Sequence, residues 1–302
     1  MRNRTLALAV ALAVCGAILP RSAAVAQEPR VLVLPDANSH ETYFTVHNLH
    51  AAQRLSRGAG VRVGILDHFF GTDDHPDLYA GGADFVAGGA VSLHGISEHG
   101  YRMAVVLREV APDVEIYALN TSTRDEAEKV AAMVKAIDWA IAHHIQVLTY
   151  SDRAFSPANR PALDDAVRRA HRAGIVTTFI HYPLPENLEP GWVGPRTGDD
   201  GRDPDVNILQ YDYSKVFVAK LLRWQHGETH DYSQRPFLSI SSTSLVTAGM
   251  VAMLLAADST LDPATVKRVL VETSRPYTLE GRTGPHVPDA YQALLQVRGS
   301  RH

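Results

Sequence analysis

Cysteine is almost absent from this sequence. The single one among 302 residues is Cys15, and it lies in a segment that we expect to be removed. A mature chain without thiols has no disulfide, no thiolate metal site and no cysteine nucleophile. Basic residues are also few, 29 against 33 acidic ones. Because nucleic-acid-binding proteins normally carry a basic surplus, this charge balance argues against a nucleic-acid partner.

Long hydrophobic runs are missing except near the N-terminus. There, residues 6–19 form an apolar run that follows Arg2 and Arg4 and precedes Ala24-Val25-Ala26. This order is typical of a secretory signal peptide, and the run is short for a membrane anchor. We predict cleavage after Ala26, which removes three arginines and no acid and lowers the net charge from −4 to −7. We therefore expect an exported protein, residues 27–302, that forms one domain and has no membrane association after cleavage.

Short apolar runs alternate with amphipathic segments through most of this mature region. We predict strands at 61–66, 114–119, 145–150 and 174–180, and helices at 101–110, 125–143, 160–173, 244–257 and 262–273. Residues 184–235, rich in proline, glycine and aspartate, are expected to form long loops or hairpins and not a second core. The alternation of strand and helix predicts an α/β fold with a mostly parallel central sheet covered by helices on both faces.

Three polar residues stand next to these elements at loop or helix-start positions. Asp67 follows the first strand, His99 precedes the first helix, and Ser244 begins an apolar helix. A serine hydroxyl becomes a nucleophile when an imidazole accepts its proton and a carboxylate orients that imidazole. Asp, His and Ser in this chain order are one known arrangement of such a triad. An esterase of the α/β-hydrolase type is disfavoured, because the chain lacks a G-x-S-x-G motif and its serine follows the histidine.

Several segments resemble the subtilisin-like serine proteases. Residues 60–67 (GVRVGILD) and 75–78 (HPDL) resemble the aspartate region of that family, and residues 98–104 (EHGYRMA) and 110–112 (VAP) resemble its histidine region. Residues 137–140 and 147–151 resemble the helix and the substrate-lining strand that follow. Residues 242–248 (STSLVTA) resemble its nucleophile segment. The resemblance implies a subtilisin-like three-layer fold. It also implies an exported serine endopeptidase that uses Asp67, His99 and Ser244 as its catalytic triad.

The same resemblance implies further properties. Ser151, at the end of the substrate-lining strand, is expected to bind substrate through its backbone. The substrate would be a peptide or protein, the enzyme a monomer, and no cofactor would be required. The Asp-rich loop 199–205 leaves calcium binding open, although it lacks the EF-hand spacing. From the residues themselves, no transition-metal site is expected: His40 has no second histidine four residues further on, and His226 and His230 have that spacing but lie in a glycine-bearing loop.

The chain departs from the family's pattern around all three triad positions. His68 and Phe69 follow the aspartate where a small hydroxyl residue and glycine are usual, and the second histidine of the histidine motif is replaced by Arg102. Ser242 and Ala248 occupy the positions of the usual glycine and proline around the serine.

The oxyanion asparagine of the family is also missing from its usual turn. The sequence there reads His181-Tyr182-Pro183, and the next asparagine is Asn187. His181 and Asn187 are therefore the candidate oxyanion donors. Two functions stay open at this stage: an active endopeptidase, or a catalytically impaired pseudopeptidase that binds peptides on the same scaffold.

Overall fold

The computed structural model describes most of the chain between residues 44 and 300. The described residues are 44, 47–73, 75, 77–95, 98–151, 155–179, 241–279 and 282–300, together with short strand segments at 32–33, 219–220, 223–226, 228–229 and 236–237. The predicted signal peptide, residues 1–26, lies outside them.

Twelve strands and seven helices are assigned within the described residues. The strands are β1 (Leu32–Val33), β2 (Arg62–Asp67), β3 (Gly81–Asp84), β4 (Glu115–Asn120), β5 (Val147–Tyr150), β6 (Val176–Phe179), β7 (Ala219–Lys220), β8 (Arg223–His226), β9 (Glu228–Thr229), β10 (Pro236–Phe237), β11 (Arg275–Leu279) and β12 (Arg282–Val287). The helices are α1 (Leu49–Gln53), α2 (His99–Val110), α3 (Glu126–Ala142), α4 (Arg160–Arg172), α5 (Ser241–Ala257), α6 (Pro263–Glu272) and α7 (Ala290–Gly299).

The central sheet has five strands in the order β3-β4-β2-β5-β6, and every neighbouring pair is parallel. Asp67 at the end of β2 is level with Asn120 of β4, and Leu66 is level with Tyr150 of β5. The carboxyl ends of the strands therefore meet at one edge of the sheet. Functional sites of parallel α/β sheets lie at this edge.

Helices cover both faces of this sheet. Successive strand residues point to opposite faces, so Val63 and Ile65 pack into a core formed with α2, α5, α6 and α7. Leu66 and Leu148 pack into a second core formed with α3 and α4. The predicted α/β three-layer fold is confirmed.

Some elements differ from the sequence predictions. Helix α5 begins at Ser241, about one turn before the predicted start at Ser244. Strand β3, the β11–β12 hairpin and helix α7 were not predicted. The sequence of β3 is Gly-Gly-Ala-Asp, which lacks the apolar or β-branched residues that indicate a strand, and its pairing with β4 comes from tertiary context.

The predicted loop region 184–235 lies mostly outside the described residues, although β7, β8 and β9 fall within it. Among the described residues, no helix is both long enough and apolar enough to cross a bilayer.

Candidate active site

The carboxylate of Asp67 and the imidazole of His99 are in direct contact. Nδ1 of His99 lies 2.8 Å from Oδ2 and 2.9 Å from Oδ1 of Asp67. Because an ionised carboxylate only accepts hydrogen bonds, Nδ1 carries the proton and donates it. In the neutral ring Nε2 is then an acceptor, which is the state required of a general base.

Backbone contacts hold helix α2 against the loop that follows β2. The first turn of a helix has backbone N–H groups without partners inside the helix. Here the N–H of Gly100 donates to the carbonyl of His68 at 2.8 Å, and the N–H of Tyr101 donates to the carbonyl of Phe69 at 3.3 Å. These bonds place His99, the first residue of α2, beside Asp67, the last residue of β2.

Gly100 is required for this close approach. A Cβ at position 100 would lie 2.4 Å from the carbonyl oxygen of His68 and 2.7 Å from the ring of Phe70. The loop itself bends through Phe69, whose φ of 55° is unusual for a residue other than glycine. The path of the loop and the small size of Gly100 together determine the separation of Asp67 and His99.

The Asp67 carboxylate is buried, with only 3% of the residue exposed. Burial raises the pKa of Asp67, but hydrogen bonds from His68 and His99 outweigh this effect, and the pKa lies below its ordinary value. The backbone N–H of His68 also donates to Oδ1, at 2.8 Å. Asp67 is therefore ionised at neutral pH and can stabilise a positive charge on His99.

Ser241 lies within hydrogen-bonding distance of His99. Its Oγ lies 3.2 Å from Nε2 of His99 and 2.7 Å from the carbonyl oxygen of Ser151, to which the hydroxyl donates. Ser241 is the first residue of α5, and the positive end of the helix dipole lies at this terminus. Asp67, His99 and Ser241 thus form one continuous series of polar contacts.

The predicted contact between Ser244 and His99 is wrong. Ser244 is completely buried, and its hydroxyl donates to the carbonyl oxygen of Ser241 at 2.9 Å. Its own carbonyl accepts a hydrogen bond from the hydroxyl of Thr178 at 3.1 Å. The error comes from starting the helix too late, because all four residues 241–244 carry hydroxyl groups and sequence spacing does not single one out. The tertiary structure distinguishes them, because Ser241 begins α5 beside His99, whereas Ser244 lies one turn further along and is completely buried.

Ser151 contributes to the same network with both its side chain and its backbone. Its hydroxyl donates to Oδ2 of Asp67 at 3.1 Å, while its carbonyl accepts the hydroxyl proton of Ser241. The residue is 3% exposed. The predicted role of Ser151 in substrate binding stays a prediction, and the contacts to Asp67 and Ser241 are what the structure adds.

The other predicted site residues are not described. The candidate oxyanion donors His181 and Asn187 and the candidate calcium loop 199–205 lie outside the described residues. Within the described part of the chain, Asp67, His68 and His99 form one group whose ligand atoms are close enough to hold a metal ion.

This arrangement is suited to nucleophilic catalysis. A serine hydroxyl, an imidazole acceptor and a buried carboxylate lie in sequence at the carboxyl edge of the sheet, where a hydroxyl proton can pass to Nε2 while Asp67 stabilises the resulting charge.

Comparison with known proteins identifies similar serine proteases. No protein-family model matches the chain. Subtilisin DY from Bacillus licheniformis is 32% identical over 237 residues, which cover 72% of this chain and 85% of that protein. A thermostable alkaline protease from Halalkalibacterium halodurans is 33% identical over 141 residues, and the chain spans 38% of that protein's length.

A solved structure of MycP1 from the ESX-1 type VII secretion system shares the fold. Its TM-score is 0.59 at 19% sequence identity, with 87% of this chain and 88% of that one covered. The match to Subtilisin DY extends over most of both proteins at higher identity. The chain therefore belongs to the subtilisin family of serine proteases.

Proposed function

We propose that this protein is an exported serine endopeptidase in which Ser241 is the nucleophile, His99 the general base and Asp67 the residue that orients His99. The observation that carries the proposal is the pair of contacts made by His99. Its Nδ1 is 2.8 Å from Asp67 and its Nε2 is 3.2 Å from Ser241. The family assignment supports the same chemistry.

The reaction begins with the hydroxyl of Ser241. In the structure this hydroxyl donates to the Ser151 carbonyl, so its proton must first turn toward Nε2 of His99, which is also within reach. As Oγ attacks the peptide carbonyl, the proton passes to Nε2, and the imidazolium then gives it to the leaving amine. A water molecule hydrolyses the resulting acyl-enzyme by the same steps in the second half of the reaction.

Negative charge on the substrate oxygen must be stabilised in the transition state. The N-terminus of α5 at Ser241 supplies a partial positive charge beside the reacting atom. His181 and Asn187 stay our candidates for an additional side-chain donor. Removal of one such donor from subtilisin costs about 100- to 1000-fold in turnover, so the missing asparagine predicts a slow enzyme unless another residue replaces it.

Labelling with a fluorophosphonate probe tests the assignment of the nucleophile. The purified mature protein should be labelled, and Ser241→Ala should abolish labelling. Ser244→Ala is the matched control, since it removes a hydroxyl one helical turn away and should still be labelled. Labelling that survives in Ser241→Ala and is lost in Ser244→Ala would reverse the assignment. No labelling of the folded wild-type protein would favour the pseudopeptidase alternative.

Export, substrate class and assembly are part of the same proposal. Cleavage after Ala26 should give a mature protein that begins at Gln27, and N-terminal sequencing of the product from the culture or periplasm tests this. We propose a peptide or protein substrate, a monomeric enzyme and no required cofactor. Calcium binding by loop 199–205 can be measured by thermal melting of the mature protein with and without a calcium chelator.

A further inference from the structure

Two imidazoles, and not one, face the carboxylate of Asp67. Nδ1 of His68 lies 3.0 Å from Oδ1, and Nδ1 of His99 lies 2.9 Å from the same oxygen. The two rings are nearly parallel, with planes 6° apart and centroids 5.7 Å apart. His68 is one of the residues that depart from the family's pattern, and its contact with Asp67 makes it a candidate metal ligand.

The three side chains form a compact set of metal ligands. One ligand atom from each of Asp67, His68 and His99 lies within 4.8 Å of the other two. The nitrogen–oxygen separations of 2.8–3.0 Å are close to the distance of about 3.3 Å that separates ligands around a tetrahedral zinc ion with bonds of about 2.0–2.1 Å. A zinc ion would take the place of the hydrogen-bonded protons, and the carboxylate and the rings would have to move apart to make room for it.

The chemistry of these ligands favours zinc over calcium or magnesium. Two imidazole nitrogens and one carboxylate oxygen are ligands that zinc binds in proteins, with a fourth position left for water. Calcium requires six to eight oxygen ligands, and magnesium an octahedral set dominated by oxygen. The side chains of His68 and His99 are 29% and 28% exposed, so an ion in solution can approach from the imidazole side.

We propose that Asp67, His68 and His99 form a zinc-binding site that inhibits the enzyme reversibly. The inhibition rests on the proposed function, whereas the binding does not. A zinc ion on Nδ1 of His99 displaces the proton of that atom to Nε2. The ring then has no acceptor for the hydroxyl proton of Ser241, and Asp67 no longer orients it. Zinc release restores Nδ1–H and the free acceptor.

Titration of Ser241→Ala with zinc chloride tests binding without any need for catalysis. Calorimetry on the mature Ser241→Ala protein should show zinc binding. Adding His68→Phe, which keeps a planar ring but removes both nitrogens, should weaken the zinc affinity more than about tenfold. His94→Phe is the matched control. His94 also lies beside an aspartate, with Nδ1 2.7 Å from Oδ1 of Asp73, but it is outside the three-residue group.

Peptide hydrolysis by the wild-type enzyme tests the consequence of binding. Zinc chloride should inhibit hydrolysis, and EDTA should restore it. The inhibition constant should match the dissociation constant for zinc, and both constants should increase together in His68→Phe. Equal zinc affinity with and without His68, or zinc binding without inhibition of an active enzyme, would overturn the proposal. A wild-type protein that binds zinc through His68 but shows no serine-dependent hydrolysis would refute the proposed function and leave the zinc site standing.

Discussion

Oγ of Ser241 lies 3.2 Å from Nε2 of His99, whereas Ser244, one helical turn further along α5, points its hydroxyl back to the carbonyl of Ser241. Two serines in one turn of helix therefore have different chemical environments. One faces the imidazole at the carboxyl edge of the sheet, and the other is completely buried.

Substitution of the two serines should separate catalysis from structure. Ser241→Ala should lower kcat for peptide hydrolysis by about 10⁶-fold, the scale observed when a triad serine is removed from subtilisin. Ser244→Ala should keep kcat within about tenfold of wild type and reduce the free energy of unfolding by about 1 kcal/mol, because it removes one buried hydrogen bond. Steady-state kinetics and urea denaturation measure the two effects. The reverse pattern of kcat values would show that α5 is in a different register.

Loss of the Ser151 hydroxyl should slow the reaction without weakening substrate binding. Ser151→Ala removes a donor to the buried Asp67 carboxylate but keeps the backbone carbonyl that contacts Ser241. Because a hydrogen bond to a charged group contributes about 1.5–3 kcal/mol, we expect kcat to fall about tenfold or more with KM little changed.

Ser156→Ala is a suitable control for that measurement. Its hydroxyl also donates to a carboxylate, that of Glu126 at 2.6 Å, which is not part of the series formed by Asp67, His99 and Ser241. An equal effect of Ser151→Ala and Ser156→Ala on kcat would mean that the Ser151 hydroxyl acts only through stability.

A methyl group at position 100 should disturb the Asp67–His99 pair. In Gly100→Ala the new Cβ would overlap the His68 carbonyl, so α2 or the loop must move. We expect a loss of about 1–3 kcal/mol in stability, the usual cost of overpacking, and a fall in kcat. Gly299→Ala, in helix α7 with no atom within 4 Å of the added Cβ, should leave both quantities nearly unchanged. Wild-type kcat in Gly100→Ala would show that the position of α2 does not control the site.

Buried Glu109 should make stability depend on pH. Its two carboxyl oxygens have no hydrogen-bond partner among the described residues, and burial raises the pKa of Glu109 well above its ordinary value. The folded protein therefore holds this proton to a higher pH than the unfolded chain, which releases it above about pH 4.3. The stability linked to Glu109 is therefore complete below that pH and is lost as the pH rises through the folded-state pKa.

Glu109→Gln should remove this dependence. The variant should melt at about the wild-type temperature near pH 4 and at a higher temperature near pH 8, with each kcal/mol corresponding to about 2–4 °C for a chain of this size. Exposed Glu272→Gln should show no such divergence. Parallel melting curves of Glu109→Gln and wild type across the pH range would contradict the assignment of a neutral buried carboxyl.

The sequence predicted much of the fold because its signals are local. Apolar periodicity predicts a helix at 125–143, and the structure has one at Glu126–Ala142, with the side chain of Asp125 accepting from the N–H of Glu128 at the helix start. A buried apolar run predicts strand β2. Strand β3 and the β11–β12 hairpin were missed, since the pairing of these strands depends on neighbours that are distant in sequence or lack an apolar pattern.

Alone, the amino-acid sequence determined the α/β architecture and placed Asp67 and His99 at the ends of elements that meet at one sheet edge. Short segments of sequence are enough for this, because each shows by its hydrophobic periodicity whether it is a strand or a helix. Only the tertiary structure decided which serine faces His99, that Ser151 donates to Asp67, and that His68 shares the same carboxylate. These contacts depend on the first residue of α5 and on the path of the loop through Phe69. Both are set by packing between segments far apart in the chain, which the spacing of residues along a sequence does not encode.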